Sequence, residues 1–198
     1  MKILNQIKFK FRINLLPYQD LLSELQSNKD ILDIGCGTGS ILKLISQSKN
    51  PTKLGGIEIS QELVNGCREN LKKIYPAQNF RIELFDGYNI PNFCKSYSQV
   101  LVIDVLHHIP HNKKLLFLKN LHKSLSSGVI IVIKDIDSSN KFLLLFNKFH
   151  DLLSSGSFGF EISAKQTINL LKESGFKLIK NYPSPKLVYA HHFYICTT

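Results

Sequence analysis

The sequence predicts an α/β fold in which a mostly parallel β-sheet lies between two layers of helices. Short apolar, β-branched runs alternate with helical patterns along the chain, as expected for a parallel sheet that is covered on both faces. A glycine-rich turn follows the first of these runs and leads into a helical pattern. The last part of the chain departs from the alternation and predicts an antiparallel hairpin. Together these observations predict a three-layer sandwich whose seven-stranded sheet ends in that hairpin.

Seven segments have the length and composition of strands. Five are short apolar runs of the kind that is buried on both faces of a sheet. The other two flank Pro183 and Pro185 and form the predicted hairpin. The predicted strands are 30–34, 53–58, 80–85, 99–104, 129–134, 176–181 and 187–195.

Helical patterns fill the intervals between the strands. Ser60 is a favourable N-cap for the second helix, and Pro110 precedes the third. The regular helices are predicted at 39–48, 60–74, 111–126 and 163–174.

Two segments stand outside this regular pattern. Residues 141–153 are apolar over much of a helical circumference, which predicts an inserted helix within 136–160 that either covers an acceptor as a lid or packs on the core. Residues 1–29 are interpreted as an N-terminal helical cover. Because no linker or repeat divides the chain, residues 1–198 are expected to form one domain.

Composition and charge limit the classes of function. The chain has 43% hydrophobic and 20% charged residues, and no apolar run approaches the roughly 20 residues that span a bilayer. The four cysteines lie too far apart for a zinc or dithiol motif, so we expect reduced thiols and no metal. The net charge of +10 favours anionic partners, but no arginine-rich tract interleaved with aromatics supports nucleic-acid binding.

The beginning of the sequence lacks the features of a secretory signal, so we expect a cytoplasmic protein. Residues 2–12 combine four basic with five apolar side chains. Such a mixture is compatible with peripheral contact to an anionic membrane surface, or with an edge segment packed on the core.

Gly35, Gly37 and Gly39 form a turn whose backbone can approach a nucleotide-like ligand closely. Glycines alone would also suit a nicotinamide dinucleotide. Glu58, about 20 residues further on, is placed to accept the ribose hydroxyls of an adenosine. Asp33, just before the turn, would repel a pyrophosphate but attract the ammonium of a methionine moiety. The charges therefore favour S-adenosylmethionine as the cofactor.

With these residues in place, the chain from about 30 to 135 resembles the class I S-adenosylmethionine-dependent methyltransferases. Asp-Ile-Gly-Cys-Gly-Thr-Gly at 33–39 matches the first motif of that family, and Gly-Ile-Glu-Ile-Ser at 56–60 matches the end of its second strand. Phe-Asp-Gly at 85–87 and the segment from Asp104 to Pro110 follow in the family's order. The resemblance implies a Rossmann-like fold. It also implies that the cofactor contacts Cys36, Ile59, Asp86, Gly87, Asp104 and Leu106.

Each acidic residue also has a plainer interpretation. Asp86 has the residue type favoured in turns, and Asp104 is positioned to cap a following helix. Both interpretations remain open on the sequence alone.

Methyl transfer to a hydroxyl group benefits from a general base, and histidine is the natural candidate near neutral pH. His107 and His108 follow the predicted fourth strand, and Lys134 and Asp135 lie at the end of the fifth, where ligands bind in open parallel sheets. His150 lies on the predicted inserted helix. We expect these five residues to line the acceptor site, although capping and salt-bridge roles would explain them as well.

The family branch with Leu-His-His in its fourth motif implies a small-molecule, lipid or polyketide-like acceptor, and we expect O-methylation. The chain lacks the Asn/Asp-Pro-Pro-aromatic signature that accompanies methylation of base amines. Two alternatives remain: an RNA- or DNA-directed methyltransferase, and an inactive partner protein that binds the cofactor. The identity of the acceptor, the atom methylated and the oligomeric state are not fixed by the motifs.

Overall fold

The fold is described from a computed structural model, which covers residues 17–75, 79–139, 159–186 and 189–198. Within these residues seven strands form one sheet. They are β1 (Ile31–Ile34), β2 (Leu54–Glu58), β3 (Phe80–Leu84), β4 (Gln99–Ile103), β5 (Ile130–Ile136), β6 (Lys177–Pro183) and β7 (His191–Thr197).

Within the described residues one helix precedes β1 and the others lie between strands. They are α1 (Tyr18–Ser23), α2 (Ser40–Ser48), α3 (Gln61–Lys72), α4 (His111–Ser124) and α5 (Ala164–Glu173), and short 3-10 helices span Asn92–Ser96 and Leu106–His108.

The sheet has the strand order β3-β2-β1-β4-β5-β7-β6. The first five strands in this order are paired in parallel, whereas β7 is antiparallel to both β5 and β6. This order confirms the predicted mostly parallel, seven-stranded sheet with a terminal antiparallel hairpin.

Two apolar clusters fill the space between the sheet and its helices. Successive strand residues face opposite sides, so Leu32 and Ile34 lie in one cluster and Ile31 lies in the other. The first cluster packs against α4 and α5, and the second packs against α1, α2 and α3. Burial on both faces explains why the central strands are almost continuously apolar.

Local sequence signals set several helix ends. The Ser60 side chain accepts a hydrogen bond from the backbone N–H of Leu63 at 3.4 Å, which confirms the predicted cap of α3. Ser163 and Gln166 form a reciprocal capping box at the start of α5.

The structure changes some predicted boundaries. β5 continues to Ile136, two residues past the predicted end at 134, so Asp135 lies inside the strand and not after it. β7 begins at His191, four residues after the predicted start. The predicted inserted helix at 141–153 and the basic segment 2–12 lie outside the described residues, and of the predicted cover at 1–29 the described part contains α1.

All four cysteines are buried free thiols, as expected. Among the described residues, no helix has both the length and the apolar character needed to cross a membrane.

Gly55 in β2 lies against the ring of Tyr97. A Cβ at Gly55 would be 2.5 Å from the Tyr97 Cζ atom, and the Tyr97 hydroxyl donates to the Leu54 carbonyl at 3.2 Å. The ring is 2% exposed, so it has little room to move. We expect Gly55→Ala to lower the free energy of unfolding by about 1–3 kcal/mol in urea denaturation, because it overpacks the core.

Gly66 in α3 provides the matched control. There a Cβ would make an ordinary contact of 3.7 Å with Thr38 Cγ2. Gly66→Ala should raise the free energy of unfolding by about 0.5–1 kcal/mol, since alanine favours a helix interior. Equal effects of the two substitutions would contradict the packing described for β2.

Candidate active site

The two central strands of the sheet bring the predicted motifs to one edge. β1 and β4 are parallel neighbours, with Ile34 opposite Val102. The connections that follow β1 and β4 lead to opposite sides of the sheet, because β2 is the outer neighbour of β1 and β5 is the outer neighbour of β4. Ligands bind at such a switch point, outside the carboxyl ends of the strands. Residues 35–39 after β1, called here the glycine turn, and residues 104–109 after β4, called here the histidine turn, both lie there.

The glycine turn fits closely against the loop after β4. Gly35 has a φ of +76°, and a Cβ there would be 2.7 Å from the Val105 Cγ2 atom. Gly37 has a φ of +53°, but a Cβ there would meet no atom of the described residues within 4 Å. The turn is therefore packed on one side by Val105 and open above Gly37, which is the arrangement that allows a ligand to approach the backbone. Gly39, with a φ of +79°, is the N-cap residue of α2.

Glu58, the last residue of β2, holds the turn with its carboxylate. One oxygen accepts from the backbone N–H of Gly37 at 3.0 Å, and the other accepts from Ile59 and Ser60 at 2.8 and 3.1 Å. A carboxylate has about four acceptor positions, so three bonds leave capacity for a further donor. Glu58 is thus a support of the glycine turn as well as a candidate ligand for ribose.

The other predicted cofactor residues surround this turn at different depths. Ile59 is 66% exposed, and a Cβ at Gly87 would be 3.7 Å from its Cγ2 atom, so the two residues form an open apolar shelf. Asp33, Cys36 and Leu106 are buried, with Asp33 in β1 between Gly56 of β2 and Leu101 of β4. A hydrogen bond with Cys67, together with burial, raises the pKa of the Cys36 thiol.

Asp86 shapes its own loop. Its carboxylate accepts from the backbone N–H groups of Tyr88 and Asn89 at 2.8 and 2.7 Å, and from the Asn89 side chain at 2.6 Å. These bonds hold the pKa of Asp86 below its ordinary value, and the bond from the backbone N–H of Asn89 has the largest effect. This geometry is that of a turn residue at the exposed rim of the site.

Asp104 and Lys134 form an ion pair at the ends of neighbouring strands. The Lys134 Nζ atom lies 2.6 Å from Asp104 Oδ1, and the lysine side chain is 1% exposed. Asp104 has a φ of +56°, a left-handed conformation that aspartate tolerates better than most residues. Its backbone N–H donates to the Lys134 carbonyl at 2.9 Å. The Lys134 ammonium therefore holds the side chain of Asp104, and the Lys134 carbonyl holds the Asp104 main chain. Asp104 is the residue at which the histidine turn begins.

His107 and Asp135 form a second buried pair. His107 Nδ1 lies 2.6 Å from Asp135 Oδ1, and Asp135 Oδ2 accepts from the His107 backbone N–H at 3.1 Å. The backbone N–H of Ile136 also donates to Asp135, at 2.7 Å. With Nδ1 donating to the carboxylate, Nε2 is the basic nitrogen of the neutral ring. His108 is exposed, and its ring centroid lies 4.0 Å from that of His107.

The environment keeps Asp135 ionised despite its burial. Burial raises the pKa of Asp135, but the attraction of the His107 ring when it is protonated, the hydrogen bond from that ring and the Ile136 N–H together bring this pKa below its ordinary value. An ionised Asp135 in turn favours the Nδ1–H form of His107.

Three candidate ligand atoms, one each from Asp104, His107 and Asp135, lie within 4.8 Å of one another. Two carboxylates and an imidazole are a donor set for a divalent metal. The ammonium of Lys134 is already in contact with Asp104, however, and its charge would oppose a second cation.

Of the five predicted acceptor-site residues, the structure brings His107, Asp135 and Lys134 together around Asp104, with His108 beside His107. His150 lies outside the described residues. The structure adds Lys114, Phe160 and Glu161, which contact or adjoin the histidine turn and were not predicted from the sequence. The sequence does contain a signal for Lys114. The buried face of α4 follows the helical spacing i, i+3, i+4, i+7, and Lys114 is its first residue, before Phe117, Leu118 and Leu121.

The strand order, the glycine turn after β1, the acid at the end of β2 and the polar turn after β4 together define the fold of the class I S-adenosylmethionine-dependent methyltransferases. A sequence profile of the family described as "Methyltransferase domain" matches residues 9–181. The chain belongs to this family, which confirms the resemblance seen in the sequence.

Solved structures share this architecture at low sequence identity. An S-adenosylmethionine-dependent methyltransferase from Aquifex aeolicus has a TM-score of 0.73 and 19% identity, covering 96% of this chain and 97% of that one. An O-methyltransferase from neocarzinostatin biosynthesis has a TM-score of 0.72 and 12% identity, covering 91% and 53%. That structure contains S-adenosylhomocysteine and 1,4-dihydroxy-2-naphthoic acid.

Curated relatives include the polyamine aminopropyltransferase of Yersinia pestis strain Pestoides F. It is 27% identical over 128 residues, which make up 61% of this chain. The match covers 43% of the relative, so this chain spans less than half the length of the curated protein it matches.

The lowered pKa of Asp135 predicts a contribution to stability that depends on pH. The ionised carboxylate is stabilised in the folded state, so its contribution is fully present above the unfolded value, which is about 3.9. It is lost as the pH falls through the unfolded value towards the lower folded value. The free energy of unfolding, measured in urea, should therefore decrease between pH 6 and pH 3, and should decrease less in Asp135→Asn.

Glu173→Gln, which removes an exposed carboxylate at the end of α5, is the control and should retain the wild-type slope. If Asp135→Asn and the wild type have the same dependence on pH, the ionised buried carboxylate is not a source of stability.

Proposed function

We propose that this chain transfers a methyl group from S-adenosylmethionine to a hydroxyl oxygen of a small-molecule acceptor, with His107 as the general base. The observation that carries this proposal is the His107–Asp135 pair, with an Nδ1 to Oδ1 distance of 2.6 Å, beside the glycine turn. Val105 links the two features, because it contacts Gly35 and lies two residues before His107.

The residues around the glycine turn fit the proposed cofactor. The open side of Gly37 would admit the methionine moiety, and the Glu58 carboxylate would accept a hydrogen bond from the ribose. The exposed Ile59 beside Gly87 would cover one face of the adenine. Asp33 would place a negative charge behind the turn, where it suits the ammonium and sulfonium charges and opposes a pyrophosphate.

The residues after β4 and β5 would supply base catalysis and alignment. Bound S-adenosylmethionine would supply an electrophilic methyl carbon. His107 Nε2 would take the proton of the acceptor hydroxyl as that oxygen is methylated. Asp135 would stabilise the resulting imidazolium, because its carboxylate is already in contact with Nδ1. The rate would then depend on how well these residues align the hydroxyl for transfer.

The acceptor class is inferred from the surface beside His107. Aliphatic side chains and the exposed ring of Phe160 lie there, with carboxylates at Asp135 and Glu161, around a crevice too narrow to admit a water molecule in this structure. The proposal therefore rests on the chemistry of these side chains, which would suit a flat, partly apolar acceptor that carries hydroxyl groups. The acceptor seen in the neocarzinostatin O-methyltransferase is of this kind, and it is the first compound we would test.

Cofactor binding is predicted to depend on Glu58. Glu58→Gln removes the negative charge at the ribose position and weakens the bond from Gly37 N–H, so the Kd for S-adenosylmethionine in isothermal titration calorimetry should rise by about 10-fold or more. Glu83→Gln on the neighbouring β3 is the matched control and should bind as the wild type does. Undiminished binding by Glu58→Gln would contradict the proposed cofactor site.

Methyl transfer is predicted to depend on both members of the buried pair. In a screen of hydroxylated aromatic acids with radiolabelled S-adenosylmethionine, His107→Asn should lower kcat by about 10²–10⁴-fold, as expected for loss of a general base. Asp135→Asn should also lower kcat, because it leaves His107 without its ionised partner. His108→Asn should have a smaller effect, since His108 is exposed.

His122→Gln, which alters a histidine packed on Phe176 at the far end of α4, is the control for these variants. Full activity of His107→Asn at saturating cofactor would exclude His107 as the base. The same screen includes spermidine and an unstructured RNA, and labelled product from either, with none from hydroxylated aromatics, would overturn the proposed acceptor class.

A further inference from the structure

We infer that Lys114 is a positioning residue for methyl transfer, because its buried ammonium holds the turn that carries His107. This inference rests on the proposed role of His107. Lys114 lies in the first turn of α4, and it is 1% exposed.

The ammonium of Lys114 bonds to both sides of the histidine turn. Its Nζ atom donates to the carbonyl of Leu106 and, at 2.6 Å, to that of Ile109. Between these two carbonyls, the carbonyl of His107 accepts from the backbone N–H of Phe160 at 2.6 Å. Three of the four carbonyls from Leu106 to Ile109 are thus held by groups outside the turn.

The ring of His107 is fixed by this arrangement together with Asp135. Asp135 binds the backbone N–H and the Nδ1 atom of His107, so it anchors one side of the residue. Lys114 and Phe160 hold the carbonyl side of the same turn. A residue that is hydrogen-bonded through both its N–H and its carbonyl has little freedom to change its backbone orientation. A general base needs such a fixed orientation, because its ring nitrogen must lie close to the proton that it accepts.

Lys114 occupies a position that helix packing alone would give to an apolar residue. The other buried side chains of the α4 stripe are Phe117, Leu118 and Leu121. Burial lowers the pKa of Lys114 to about 8, and the nearby carboxylates of Asp135 and Glu161 only partly oppose this shift. Burying the ammonium of Lys114 is costly, and its hydrogen bonds to the histidine turn explain why a lysine occupies this position.

Glu161 completes the surroundings of the ammonium. One oxygen of its carboxylate is buried and has no hydrogen-bond partner among the described residues, while its charge acts on Lys114. Within the same part of the chain, Asp135 from β5 and Glu161 from the segment before α5 are the acidic groups that act on Lys114.

The test compares Lys114→Met, Lys114→Arg and the matched control Lys119→Met, which changes an exposed lysine of the same helix. Protein labelled with ¹⁵N and ¹³C in histidine reports the tautomer of each ring by NMR, and His107→Asn assigns the His107 signals. This measurement requires neither an acceptor nor activity. Far-ultraviolet circular dichroism and urea denaturation establish that each variant is folded.

In the wild type and in Lys119→Met we expect His107 as the single Nδ1–H tautomer between pH 7 and 8. In Lys114→Met the His107 signals should shift towards a mixture of tautomers, while the signals of His122, remote on the same helix, stay in place. With the acceptor found in the screen, kcat should fall by about 10–100-fold and the Kd for S-adenosylmethionine should change less than two-fold. Lys114→Arg, which keeps a charged donor, should restore part of kcat and the wild-type tautomer.

An unchanged His107 spectrum in folded Lys114→Met would overturn the inference, as would an equal shift of His107 and His122. If Lys114→Met does not fold, the comparison passes to Lys114→Gln, which keeps a donor but cannot reach both carbonyls. A changed His107 spectrum together with full activity of His107→Asn would leave Lys114 as the residue that holds the turn and would refute the proposed base.

Discussion

The parallel pairing of β1 with β4 is the constraint on which the site depends. It sets Ile34 beside Val102, so that the next residues of both strands emerge at the same edge of the sheet. The glycine turn and the histidine turn are then pressed together at Gly35 and Val105, with no space for a side chain at Gly35. A slip of one residue in this register would turn the strand side chains to the opposite face and separate the two turns.

The two charged groups of β5 that are buried under this edge each contact a partner of opposite charge or a hydrogen-bond donor. Lys134 neutralises Asp104, and Asp135 is bound by His107 and by backbone N–H groups. Because Lys134 and Asp135 are successive residues of β5, they leave the strand on opposite faces and serve different partners. An ion pair buried in this way contributes less to stability than to a single defined geometry, because each charge also carries a desolvation cost.

The sequence was sufficient for the architecture and for the glycine turn, because both depend on local patterns. Apolar runs and a Gly-x-Gly-x-Gly turn are contiguous, and each was found close to its predicted place. The end of β5 was predicted two residues early, at Lys134, because Asp135 interrupts the apolar run and only its contact with His107 makes this carboxylate compatible with a buried strand.

Such local patterns could not predict contacts between distant segments of the chain. The start of β7 depends on its pairing with β5, where Ile136 lies opposite His191, and a strand buried on both faces has no alternation that would mark its beginning. The bond from Phe160 to His107 joins segments that nothing in the sequence connects. Lys114 was the exception that could have been noticed, as a lysine on an otherwise apolar helical stripe. The roles of the predicted site residues in binding and catalysis remain predictions.

The position of β7 between β5 and β6 has a consequence for how the chain folds. β6 precedes β7 in the sequence but pairs, among the described strands, only with β7. During synthesis β6 therefore emerges before this neighbour exists, and the edge of β5 stays open until β7 arrives. Until then β5 keeps an unpaired edge next to the histidine turn, and an open strand edge is a template for pairing with another chain.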